Sequence, residues 1–159
     1  MWPAIFMFRN LIILLALALS ALSAAAQTPV EGVIEKYQNV EGARSFIATG
    51  TRLALAKGLI RRTQVGILAD DVDELAVLKM QNATQYSKIR FKHDLHDALE
   101  SYEYHGTHDS RNGTVDIYVL RSKSGDIEEL VIYNPAILSL NSLRGTFPEQ
   151  SLMQLEEDS

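Results

Sequence analysis

The 159 residues carry 20 acidic against 15 basic side chains, a net charge of −5, and no cysteine. An acidic chain repels phosphate backbones and anionic lipid, and with no basic stripe interleaved with aromatics it argues against nucleic acid as a partner. The lack of cysteine excludes disulfides, thiol nucleophiles and thiolate metal ligands together, and leaves a hydrophobic core as the source of stability.

Met1 to Arg9 carries one positive charge, Leu11 to Leu22 is apolar apart from Ser20, and Ser23 to Ala26 are small. This is the three-region plan of a secretory signal peptide, and the apolar run falls short of the roughly 20 residues that cross a hydrocarbon core. Ala24 and Ala26 occupy the A-x-A positions, which predicts cleavage after Ala26. The alternative is an uncleaved anchor lengthened by Trp2, Ile5, Phe6 and Phe8. The expectation is a leader over residues 1–26 and one domain over residues 27–159, exported to the periplasm or cell envelope, with no stable membrane span after cleavage.

Thr28, Pro29 and Glu31 spell a capping box with proline at the first helical position, and Val30, Val33, Ile34 and Tyr37 recur as one apolar stripe. Arg44 to Thr49 predicts a strand. Thr51 to Arg62 predicts a second helix with Leu55, Ala56, Leu59 and Ile60 on one side, weakened by Gly58. Lys57, Arg61 and Arg62 suit a helix C-terminus. Asp70, Asp71, Asp73 and Glu74 read as a solvated acidic loop, since DDVDE lacks the central glycine and distal glutamate of a calcium loop.

Leu75 to Met80 is strand-like. Phe91, Leu95, Ala98, Leu99 and Tyr102 then give the strongest amphipathic signal of the chain, a long helix entered through a turn at Asn82 to Gln85. Asn112-Gly113 and Ser124-Gly125 are hairpin turns, between and after which Thr114 to Arg121 and Ile127 to Tyr133 should pair antiparallel. Both segments are apolar at odd and even positions, which predicts interior strands shielded partly on both faces. Ile137 to Arg144 adds a strand, and Pro148 to Leu155 a closing helix. The order predicts an α+β domain: an antiparallel sheet with helices mainly on one face.

KYQNVEGARSFIATGTRLALAKG, ELAVLKM before a helix, GTVDIYVLRSKSGDIEELVIYNP and SLNSLRGTF together resemble the exported bacterial domain of unknown function 4252 family, found in Bacteroidetes-type envelopes. The resemblance covers nearly all of the mature chain. Its motifs are structural, among them the late glycine at Gly145, and it implies export and one domain without any reaction or catalytic residue.

All four histidines lie in KHDLHDALESYEYHGTHD, as two H-x-x-H pairs, His93 with His96 and His105 with His108. His93 and Asp97, and His96 and Glu100, are spaced i, i+4 on the helix face opposite Phe91 and Leu95, where imidazole and carboxylate suit zinc or nickel. The alternative is an ordinary solvated helix face. Motifs for serine hydrolases, zinc proteases, P-loops and dinucleotides are absent, and Ser101 or Ser110 with His105 and Asp109 would make a triad only if space brought them together. The leading expectation is a non-catalytic envelope binding or interaction domain for a protein or small molecule. The second is a divalent-metal-binding protein using His93, His96, Asp97 and Glu100, with His105 and His108 as further candidate ligands, and the third a hydrolase.

Overall fold

The computed structural model describes residues 26–63 and 65–157, so the leader read from residues 1–26 lies, except for Ala26, outside the described residues. Thr28 caps helix α1 (Pro29–Tyr37): its hydroxyl accepts from the Glu31 N–H while the Glu31 carboxylate accepts from the Thr28 N–H at 2.7 Å. Each cap satisfies a donor that the first helical turn would leave bare. Val30, Val33, Ile34 and Tyr37 are all buried, so the apolar stripe is the packing face.

Strand β1 (Arg44–Ala48), helix α2 (Gly50–Ile60), a 3-10 turn (Gly66–Asp71) and strand β2 (Val72–Lys79) follow. The acidic run is therefore not a loop: Asp70 and Asp71 close the 3-10 turn, while Asp73 and Glu74 lie in β2. Pairing with a neighbouring strand satisfies the backbone there, and a bulge between Val72 and Glu74 absorbs the irregular entry. Helix α3 (Gln85–Leu99), capped by Thr84, is the longest described helix, and a meander of β3 (Glu103–Ser110), β4 (Gly113–Arg121), β5 (Ile127–Asn134) and β6 (Ser139–Phe147) leads to α4 (Glu149–Glu157). His105 and His108 thus belong to a strand. The six strands form one sheet in the order β1-β2-β6-β5-β4-β3, antiparallel at each pairing.

Helices α1 and α3 lie on one face over Ala76, Leu78, Val131 and Leu140, with Phe91 at the centre. Phe91 is fully buried and meets the rings of Tyr37 and Tyr133 edge-on, with centroids 5.5 and 6.3 Å away. Between these helices Asp94 accepts from Lys36 and from the Tyr37 hydroxyl. Both bonds hold its carboxyl below the usual range, the Lys36 bond contributing most. The other face carries a second cluster, in which Leu53 and Ala56 of α2, Leu68 of the 3-10 turn and Leu152 of α4 meet Ile117, Val119, Leu130 and Leu143. Gly145 sits where the 3-10 turn meets β6, and a Cβ there would lie 1.9 Å from the Asp71 carbonyl oxygen. None of the described helices is long and apolar enough to cross a membrane.

Candidate functional site

Helix α2 buries Leu53, Ala56 and Ile60 against the sheet and leaves Leu55 and Leu59 77% and 69% exposed. The apolar side expected from Leu55, Ala56, Leu59 and Ile60 is therefore divided. Leu53, Ala56 and Ile60 are spaced i, i+3, i+7 and form the packed edge, while Arg52, Leu55 and Leu59 have the same spacing on the adjoining stripe. That second stripe overhangs the sheet and, with it, bounds a cavity of about 870 Å³.

The floor is a row that runs straight across five strands. Phe46 pairs with Val77, Val77 with Asn141, Asn141 with Ile132 and Ile132 with Ile117. All five side chains line the cavity, as do Leu75 and Leu143 in the next row. At the inter-strand spacing of about 4.8 Å, the four steps span roughly 19 Å. His108 and Val115, partners on β3 and β4, close the far end together with Ser110.

Polar groups in this lining are few, and several are already engaged. The Thr63 hydroxyl donates to the Ile60 carbonyl at 2.6 Å, Ser110 donates to the Gly113 carbonyl at 2.6 Å, and the Asn141 amide donates to the Ile132 carbonyl at 3.4 Å. No aspartate or glutamate lines the cavity, although the chain carries 20 acidic residues. Arg52, at the N-terminal end of the α2 stripe, is the cationic side chain of the lining.

The paired histidines stand elsewhere. On α3, His93 is exposed and its Nδ1 lies 3.2 Å from Asp97 Oδ2 and 3.8 Å from Asp94 Oδ1, the i, i+4 neighbour relation expected from spacing. His96 and Glu100 are also exposed. Among the described residues no group of three or more His, Asp or Glu side chains is placed to hold one metal ion. His105 and His108 lie on β3, an edge of the sheet, with a bulge between Tyr104 and Gly106. Asp94, which spacing did not single out, is the carboxylate of this helix that ties α3 to α1.

A second polar group lies beneath the N-terminus of α1. Glu129 is fully buried and accepts from the Tyr102 hydroxyl at 2.5 Å and the Ser142 hydroxyl at 2.6 Å. Tyr102 in turn accepts from the Val30 N–H at 3.3 Å. Arg144 is the cross-strand partner of both Glu74 and Glu129 and donates to Glu31, so the capping glutamate of α1 also joins that helix to the sheet. Burial first, and then the neighbouring Glu31 carboxylate, raise the Glu74 carboxyl against the opposing pull of Arg144.

The raised Glu74 has a definite sign for stability. The folded state holds the Glu74 proton more tightly than the unfolded chain does, so ionisation costs stability as pH rises from the usual carboxylate value through the raised one. Glu74→Gln is expected to raise the melting temperature by a few degrees at neutral pH. The gain fades in acid, where both states are protonated. Thermal melts of both proteins from acid to neutral pH check this, and an equal offset at every pH would refute it.

No family model, curated protein or solved structure matches this chain, so what the site does is argued from its own lining and shape.

Proposed function

We propose that the chain is an exported, non-catalytic binding domain of the bacterial envelope, which takes a small apolar or amphiphilic molecule into the cavity between α2 and the sheet. One observation carries the reading: a space of about 870 Å³ lined by apolar side chains from β1, α2, β2, β4, β5 and β6, without a carboxylate. Ligand cavities fall at about 300–1,000 Å³ and combine an apolar wall with a few placed polar groups. The exposed Leu55, Leu59 and Phe46 at its margin are the contiguous apolar surface that marks such sites. Export is supported by the leader-like residues 1–26, by the lack of cysteine and by the resemblance of the mature chain to an exported envelope family.

Val77 lies in the floor row between Phe46 and Asn141 and is only partly buried, so a larger side chain there projects into the space. Val77→Trp is expected to weaken binding of dodecanol at least tenfold while leaving the melting temperature within a few degrees of the parent. Titration calorimetry beside thermal melts reads both. Saturable binding of one dodecanol per chain, lost in the variant, supports the proposal; absence of binding to the parent removes it.

A further inference from the structure

The cavity is mainly apolar, with Asn141 in its floor and His108 and Ser110 at its far end, and its lining includes the cation Arg52. Arg52 lies on the same helical stripe as Leu55 and Leu59, one turn before Leu55, and it is exposed at the edge of the lining. Three other arginines are tied to the chain's own carboxylates. Arg61 donates to Asp70, Arg121 to Glu103 and Glu149, and Arg144 to Glu31. Arg52 meets no carboxylate among the described residues, and none of the acidic side chains lines the space it borders.

The dimensions fit the same ligand. The floor row spans roughly 19 Å from Phe46 to Ile117, measured by strand spacing. One acyl chain occupies half of a hydrocarbon core about 30 Å thick, or roughly 15 Å. A single chain laid along the row would rest on Val77, Asn141, Ile132 and Ile117, and a head group that reaches Arg52 in the same lining meets a guanidinium, which can hold an anion through two parallel hydrogen bonds. A head group held there keeps its remaining hydration, while the tail gains the burial.

Resting on the binding reading above, we infer that the cavity between α2 and the sheet binds single-chain amphiphiles with an anionic head group, tail along the Phe46–Ile117 row and head at Arg52. Carboxylate and phosphate heads share this chemistry.

The test compares dodecanoate, dodecyl phosphate and dodecanol, each below its micellar concentration, by titration calorimetry against the full chain and its Arg52→Gln and Arg52→Lys variants. The expected result is that dodecanoate binds about tenfold more tightly than dodecanol to the parent, that Arg52→Gln removes this preference by weakening dodecanoate far more than dodecanol, and that Arg52→Lys keeps part of it. A similar gain for dodecyl phosphate identifies the site as a general anionic-head site, and a gain confined to dodecanoate identifies it as a carboxylate site. Equal affinity of the parent for dodecanol and both anions, unchanged in Arg52→Gln, overturns the head-group assignment and leaves the cavity reading intact. If none of the three binds the parent, both fall.

Discussion

Replacing Phe91 by alanine is expected to destabilise the domain by about 3–5 kcal/mol, the range for emptying a buried aromatic site. The ring is wholly buried at the centre of the α1/α3 face, between Tyr37 and Tyr133. Its neighbours belong to two helices and to the sheet, so no single element can move in to fill the space. Urea unfolding should show the midpoint fall with the slope unchanged, and the melting temperature should drop by roughly 15 °C. Phe91→Leu should lose about half as much, because much of the volume remains. A loss under about 1 kcal/mol for alanine would mean that Phe91 is not the centre of this core. The α2 cavity lies on the opposite face of the sheet, so on the binding proposal dodecanol affinity measured below the melting transition should stay near the parent value.

The second large effect is Gly42→Ala. Gly42 follows α1 with φ at +81°, and a Cβ added there would lie 2.1 Å from the Asn82 carbonyl oxygen and 2.9 Å from the Ala83 Cα. Two penalties therefore act together. A left-handed backbone costs a residue with a Cβ roughly 1–2 kcal/mol, and displacing backbone in a packed turn adds about 1–3 kcal/mol. The obstruction is main chain rather than a side chain with an alternative rotamer, so relief requires the loop after α1 to part from the turn that starts α3. The expected loss is about 2–5 kcal/mol by urea unfolding. Gly58→Ala is the matched control, since Gly58 is helical and nothing stands within 4 Å of its added Cβ. There the helix propensity of alanine should stabilise by about 0.5–1 kcal/mol. Two variants of the same chemistry with the same sign of effect would contradict the geometry at Gly42.

The order of elements was legible along the chain because each signal is local. Thr28, Pro29 and Glu31 announce α1 through bonds made within one turn, and Asn112-Gly113 and Ser124-Gly125 announce hairpins because both glycines take positive φ. Phe91 and Leu95 emerged as core from periodicity alone. The α+β class with its antiparallel sheet follows from that order, and the apolar residues at odd and even positions of β4 and β5 correctly marked strands with neighbours on both faces. Where local signals compete, the reading failed. Asp73 and Glu74 look like loop residues, yet pairing of β2 with β6 draws them into a strand, and Arg144 offsets part of the charge.

What the sequence by itself determined is therefore the helices, strands β1, β2, β4, β5 and β6 and the two hairpin turns, without β3 or the 3-10 turn, together with the acidic balance, the neighbour relation of His93 and Asp97, and the surplus of apolar residues over what one sheet face needs. The tertiary structure alone decided that Phe46, Val77, Asn141, Ile132 and Ile117, drawn from five segments, stand in one row, and that Leu55 and Leu59 overhang it instead of packing. The physical reason is strand register. A shift of one residue in any of the four pairings would turn that side chain to the α1/α3 face, and register is set by the summed packing of both faces, which no short stretch of the chain contains.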